Sequence, residues 1–111
     1  MNWNKLENKD QLKFIDEESK NEKVLIFKHS TRCSISSVAL DRLERNWQEA
    51  DSEKIKPYYL DLLAHRGISN EIASRYKISH ESPQILIIQN GICIYHASHS
   101  DIDYREIIQV K

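Results

Sequence analysis

Hydrophobic positions along this 111-residue chain follow two alternating patterns, one typical of buried strands and one typical of amphipathic helices. The continuous apolar run from Val24 to Phe27, bounded by charged residues, predicts a strand that is buried on both faces. Asn90 and Gly91 favour a type I′ turn, because both residues tolerate positive φ, and they predict a β-hairpin. The predicted strands are residues 23–30, 57–63, 85–89 and 92–96.

Helical patterns separate these strands. Ile35, Ala39 and Leu43 recur at every fourth position and predict a long helix over residues 34–49, with this apolar stripe turned towards the core. The other helices are predicted at residues 8–19, capped by Asn8 with Gln11 as its reciprocal partner, at residues 69–77, capped by Ser69, and from residue 100 or 101 onwards.

The order of the elements, α-β-α-β-α-β-β-α, predicts the fold class. Strands that alternate with helices indicate a mainly parallel sheet with helices on both faces, and the closing hairpin adds an antiparallel edge. We therefore expect a single α/β domain over residues 1–111, built as a three-layer sandwich around a mixed sheet of about four strands. The same order describes the thioredoxin fold, so the expected architecture is thioredoxin-like.

The charge balance argues against nucleic acid and membranes as partners. Sixteen Lys and Arg residues stand against seventeen Asp and Glu, which gives a net charge of −1 and no long run of one sign. No apolar run approaches the roughly 20 residues of a membrane span, and the polar opening segment lacks the pattern of a secretory signal. We therefore expect a cytoplasmic protein, whose two cysteines, sixty positions apart, form no disulfide framework.

Cys33 lies where the first predicted strand gives way to the long amphipathic helix. The free N–H groups and the dipole of a helix start favour a thiolate over a thiol. Arg32 and His29 would add positive potential, and Ser36, one turn on, can donate its hydroxyl and backbone N–H towards the sulfur. A free cysteine is often a buried packing residue, but the polar neighbours of Cys33 favour a nucleophile.

Other reactive residue types are predicted to have structural roles. Cys93, between apolar residues of the last strand, is expected to pack, and Asp61 to lie at an exposed strand end. Prolyl bonds are cis in only about one case in twenty, so frequency alone favours a trans bond at Pro83. His96 and His99 have a ligand-like spacing, but no cysteine pair or carboxylate triad completes a zinc set, and no metal is expected.

The stretch "FKHSTRCSISSVALDRL", with "HESPQILIIQNG" further on, resembles the monothiol bacilliredoxin C family of general stress proteins over essentially the whole chain. The resemblance implies that Cys33 is the nucleophile, that Pro83 is a cis-proline beside it, and that Ser82 offers backbone groups to an incoming disulfide-bearing chain. It also implies bacillithiol, a low-molecular-weight thiol, as co-substrate in place of a second protein cysteine.

One position departs from the family pattern. Many relatives carry proline directly after the cysteine, where this chain has Ser34. A proline at the first helical position lacks an N–H, so Ser34 restores that donor and loosens the turn. The residues expected to contact the substrate are Arg32, Ser34, Ser82 and Pro83.

The predicted function is that of a monothiol thiol–disulfide oxidoreductase in the stress response. Cys33 would attack a mixed disulfide between a client protein and bacillithiol, Ser36 would stabilise the thiolate, and a second small thiol would regenerate Cys33. The expected partners are therefore S-thiolated client proteins and the small thiol. Two alternatives remain: a glutaredoxin-like protein that uses glutathione, and a non-catalytic adaptor that binds partners at the Cys33 surface.

Overall fold

The computed structural model describes all 111 residues and contains a five-stranded mixed sheet in the order β1-β3-β2-β4-β5. The strands are β1 (Asn4–Lys5), β2 (Lys23–His29), β3 (Ile55–Asp61), β4 (Gln84–Gln89) and β5 (Ile92–Ser98). The helices are α1 (Gln11–Glu18), α2 (Ser34–Asn46), α3 (Asp51–Lys54), α4 (Arg66–Tyr76) and α5 (Tyr104–Ile108), with a 3₁₀ turn at His99–Asp101.

The apolar run predicted as a buried strand forms the centre of the sheet. β2 pairs in parallel with β3 and antiparallel with β4, and the residues from Val24 to Phe27 are completely buried. All four predicted strands are present, with β3 beginning at Ile55, two residues before the predicted start. The fifth strand, β1, was missed because two residues are too short to show a period.

Helices cover both faces of the sheet, as the predicted three-layer architecture requires. Side chains alternate along a strand, so Val24 and Ile26 join the core cluster beneath α1 and α4. Leu25 and Phe27 join the opposite cluster, beneath α2 and α5. By the same alternation, Lys28 lies on the α1/α4 face and His29 on the α2/α5 face.

The helix boundaries differ from the predictions in ways that have local causes. Gln11 Oε1 accepts from the Asn8 N–H at 2.9 Å, as the capping prediction requires, but a turn precedes the helix and α1 begins only at Gln11. Ser69 does not cap α4: the helix begins at Arg66, and Ser69 is buried within it. No helix of the structure combines the length and the apolar character needed to cross a bilayer.

Ser19 connects the end of α1 to the β4–β5 hairpin. Its buried hydroxyl donates to the Asp16 carbonyl at 2.7 Å and accepts from the Gly91 N–H at 2.9 Å. Its carbonyl accepts from the Asn90 N–H at 2.8 Å. Asn90 and Gly91 have φ of 54° and 75°, as the predicted type I′ turn requires.

Replacing Ser19 by alanine should leave the Gly91 N–H without an acceptor in a partly buried position. A buried donor without a partner costs about 1–2 kcal/mol, so we expect the free energy of unfolding to fall by that amount in urea denaturation. Ser74→Ala, at an exposed position of α4, is the matched control and should unfold like the wild type. Equal midpoints for Ser19→Ala and the control would contradict this role for Ser19.

Candidate functional site

The pairing of β2 with β4 brings two loops to one edge of the sheet. The last residue pair in this antiparallel register is Lys28 with Gln84. The chain continues from the end of β2 to Cys33, four residues beyond His29, and it enters β4 from Pro83. The two segments that carry the predicted site residues therefore leave the sheet at the same edge.

The 3₁₀ turn after β5 links these two segments. The His99 N–H donates to the Pro83 carbonyl at 3.0 Å. His99 also lines, together with Ser34 at the start of α2, a shallow groove of about 210 Å³. His99 thus contacts the Pro83 loop through its backbone while bordering the helix that begins after Cys33.

Cys33 is the N-cap residue of α2 and is partly exposed. Its backbone is extended, its N–H donates to the Ser30 carbonyl at 3.1 Å, and its carbonyl accepts from the Ser37 N–H at 3.1 Å. In this helix geometry the N–H groups of the three residues after Cys33 have no intrahelical acceptor. The sulfur is therefore attached at the positive end of a thirteen-residue helix, an arrangement that suits a thiolate nucleophile.

The hydroxyl of Ser36 is directed at β2 rather than at the sulfur. It is completely buried, accepts from the Ser30 N–H at 3.0 Å and lies 2.6 Å from His29 Nδ1. With one lone pair used by Ser30, the Ser36 hydroxyl can donate its proton to a neutral His29 ring. The prediction that this hydroxyl donates to the sulfur is thus wrong, because the hydroxyl is hydrogen-bonded to His29 and Ser30 instead. Ser36 still has a free backbone N–H at the helix start.

His29 also differs from its prediction. Its ring is buried between those of Phe27 and Tyr59. Burial lowers the pKa of His29, against the opposing effect of Asp61 and Glu44, so the ring is neutral at neutral pH. His29 therefore supports Ser36 and adds no positive charge beside Cys33.

The peptide bond between Ser82 and Pro83 is cis, as the family resemblance implied, and the expectation from frequency was wrong. Pro83 is buried at the start of β4. The Ser82 hydroxyl is also buried and has no hydrogen-bond partner. The backbone of these two residues thus lies at the same edge of the sheet as the segment that leads to Cys33.

The remaining predicted contact residues are exposed around the thiol. Arg32 and Ser34 are both exposed, and Arg32 forms no ion pair. Ile35 is 57% exposed, contrary to the prediction that it turns towards the core, and Val38 is 56% exposed. Both line the groove that Ser34 and His99 border. Helical periodicity alone missed this apolar surface, because burial of the stripe begins only at the following turn.

Cys93 is remote from Cys33 and packs as predicted. It is partly buried against the core beneath α1 and α4, its thiol donates to the Tyr95 carbonyl at 3.3 Å, and burial raises the pKa of that thiol. Cys93 pairs with Ile88, which itself pairs with Val24 at the start of β2, whereas Cys33 follows the end of β2. Their separation exceeds the about 7 Å between Cα atoms that a disulfide allows, and both thiols are free.

No group of three or more His, Cys, Asp and Glu side chains is arranged to hold a metal ion.

The comparisons with known proteins show the family and the fold. A model of the family described as monothiol bacilliredoxin BrxC matches residues 4–107. The chain belongs to this family. A solved structure described as a candidate oxidoreductase with a thioredoxin fold is 34% identical, with a TM-score of 0.82 over 96% of this chain and 90% of that one.

More distant structures support the thioredoxin fold of this bacilliredoxin-family chain. The thioredoxin of Malassezia sympodialis is 17% identical, with a TM-score of 0.75, and the match covers 96% of this chain and 84% of that chain. The thioredoxin of Fasciola hepatica is 15% identical, with a TM-score of 0.72, covering 96% of this chain and 98% of that chain. The five-stranded sheet with helices on both faces is thus the thioredoxin fold of a redox family.

One buried group of this family member escaped the sequence analysis. The Lys28 side chain is completely buried on the α1/α4 face, 3.4 Å from the Ser69 carbonyl oxygen and 3.3 Å from His80 Nδ1. No carboxylate pairs with it, and burial lowers its pKa to about 8. The lysine looked like the polar boundary of the apolar run, but the alternation along β2 could have placed it beside Ile26.

Replacing Lys28 by methionine should stabilise this bacilliredoxin-family protein at pH 7. The unfolded chain holds the lysine proton up to about 10.5 but the folded chain only up to about 8. Wild-type stability therefore rises between these pH values, and below them it carries the cost of a buried charge. We expect Lys28→Met to be more stable than the wild type at pH 7, by up to about 3 kcal/mol, and this advantage to disappear by pH 10.5.

Urea unfolding at pH 7, 9 and 10.5 measures this difference. Lys13→Met, at an exposed position of α1, is the control and should match the wild type at each pH. A Lys28→Met variant that is less stable than the wild type at pH 7 would show that the buried ammonium is net stabilising.

Proposed function

We propose that this protein is a monothiol thiol–disulfide oxidoreductase that removes bacillithiol from protein mixed disulfides through Cys33. The observation that carries the proposal is the partly exposed Cys33 thiol at the N-cap of α2, with no second thiol in reach. Ser36 occupies the position where a resolving cysteine would stand, and Cys93 lies at the other end of the sheet.

The reaction is two successive thiol–disulfide exchanges. The Cys33 thiolate attacks the bacillithiol sulfur of the mixed disulfide, a bond forms between these sulfurs, and the client cysteine leaves as a thiolate. A second bacillithiol thiolate then attacks the bacillithiol sulfur held by Cys33. Cys33 leaves as a thiolate, and the two bacillithiol molecules depart as their disulfide. The client is reduced, and bacillithiol is oxidised.

The protein surroundings have distinct roles in these steps. The start of α2 stabilises the Cys33 thiolate as attacking and leaving group, with the backbone N–H of Ser36 among its donors. The backbone of Ser82 and Pro83 aligns the client chain at the opposite wall of the site. Arg32 and Ser34, exposed beside the thiol, contact the small thiol or the client.

The apolar groove next to Cys33 is suited to hold client proteins. Ile35 and Val38 expose large apolar surfaces one turn apart, and the groove also contains Arg42. Desolvation of such side chains contributes affinity without selecting a sequence. Binding of this kind suits an enzyme that acts on many different S-thiolated proteins.

The same groove supports the second candidate function, a non-catalytic adaptor. An adaptor would bind partners through Ile35 and Val38 and would leave the Cys33 sulfur unmodified. The two functions differ in whether Cys33 accepts a small thiol from a disulfide.

Intact-mass spectrometry of protein mixed with bacillithiol disulfide, and in parallel with glutathione disulfide, distinguishes these functions. We expect a bacillithiol adduct on Cys33 that excess bacillithiol removes. An equal or stronger glutathione adduct would support thiol–disulfide exchange at Cys33 but contradict bacillithiol as the specific co-substrate. Absence of any adduct would favour the adaptor.

The matched pair Cys33→Ser and Cys93→Ser assigns the chemistry to one thiol. Cys33→Ser should lose release of a bacillithiolated client completely, since no other thiol lies at this edge. Cys93→Ser should keep it within about twofold, because this substitution changes one partly buried side chain far from the site. Full activity of Cys33→Ser would refute the mechanism.

A further inference from the structure

Two buried polar side chains hold the loop that leads into the cis-proline. Lys28 and Gln84 are directly opposite in the β2–β4 register, so their side chains lie on the same face of the sheet. Gln84 Nε2 donates to the Ser79 carbonyl at 3.0 Å, and Gln84 Oε1 accepts from the Glu81 N–H at 3.4 Å. Lys28 reaches His80 between these two contacts.

The contact between Lys28 and His80 requires a defined protonation state. A lysine ammonium can only donate, so His80 Nδ1 must accept, and the ring proton must be on Nε2. The Ser69 hydroxyl lies 3.1 Å from the same Nδ1, so Lys28 and Ser69 share its single lone pair. The exposed His80 ring is therefore fixed by two polar groups beneath it, one from β2 and one from α4.

A lysine at position 28 lowers the stability of the folded protein. A buried ammonium without a carboxylate costs more than an apolar side chain of the same length. Such a residue makes physical sense where its hydrogen bonds serve the site rather than stability. The group that it holds, His80, lies three residues before Pro83.

We propose that Lys28 is a positioning residue of the exchange reaction: through His80 it holds the loop 79–82, and with it the Ser82–Pro83 wall, in the conformation that receives the client chain. This inference rests on the proposed function. Lys28 touches no reacting atom and acts on docking of the client rather than on the Cys33 sulfur.

Acid should release this loop. Protonation of His80 at Nδ1 removes the acceptor and places a second cation against Lys28. The charged groups that face His80 are Lys28 on β2, Arg66 on α4 and Glu81 in the loop. Burial, with Lys28 and Arg66, lowers the pKa of His80, and Glu81 opposes this. The loop is therefore held at neutral pH and freed as the pH falls through the titration of His80.

Kinetics on a bacillithiolated protein test the positioning role. Lys28→Met should raise KM about fivefold, equivalent to one lost hydrogen bond, with kcat unchanged. Its alkylation rate at Cys33 with iodoacetamide should equal that of the wild type.

Substitutions of His80 test the other partner of this contact. His80→Ala should raise KM as Lys28→Met does. In His80→Asn the side-chain oxygen replaces Nδ1 as acceptor, so this variant should have the wild-type KM, and its KM should not rise at acid pH. Lys13→Met is the control and should match the wild type.

Two readouts without activity test the contact itself. In nitrogen-15 NMR, His80 Nδ1 should be unprotonated at pH 7 and should titrate at higher pH in Lys28→Met. The protection factor of the Glu81 amide, which compares its exchange with that of an unprotected amide at the same pH, should fall in Lys28→Met and, at acid pH, in the wild type.

The outcomes separate the two proposals. If the wild type fails to release bacillithiol but the NMR and exchange results hold, the proposed function fails while the loop contact stands. If the wild type is active but Lys28→Met leaves KM, the His80 titration and Glu81 exchange unchanged, the positioning inference is overturned. A Lys28→Met variant that alters the Cys33 alkylation rate would also overturn it, since Lys28 would then act on the thiol.

Discussion

The antiparallel pairing of β2 with β4 determines where every residue of the candidate site lies. β2 is buried on both faces, so its register is specified by two cores at once, and a slip of one residue would exchange them. The pairing ends at Lys28 and Gln84. Beyond that pair the chain leads on one strand to Cys33 and on the other back to Pro83. The chemistry is thus located by apolar residues that take no part in it.

The strongest local patterns predicted most of the fold. The run from Val24 to Phe27, the Asn90–Gly91 turn and the periodicity of α2 each specify one element through nearby residues alone, and all three are present. Two-residue β1 has no such pattern. Ser69 has the chemistry of a helix cap, but its hydroxyl faces His80 from inside α4, a contact that depends on tertiary packing.

The site was predictable only as far as its chemistry is local. Helix-start geometry places Cys33 at the N-cap from sequence alone. The spacing of Ser36 predicted proximity to the thiol but not the competition of His29 and Ser30 for its hydroxyl. Lys28 is buried because α4 and the loop before Pro83 cover it. The alternation along β2 indicates the face on which Lys28 lies, but not that α4 and this loop cover it.

The separation of the two cysteines determines which disulfides the protein can form. Two neighbouring thiols of one chain react with each other at a high effective concentration, so the disulfide between them persists. Here the sheet keeps Cys33 and Cys93 at opposite ends of the β2–β4 pair. Any disulfide at Cys33 therefore joins two molecules, and its lifetime depends on the surrounding concentration of thiols. Within the proposed function, the redox state of Cys33 is therefore set by thiols outside the chain, because no second thiol of the chain can hold it oxidised.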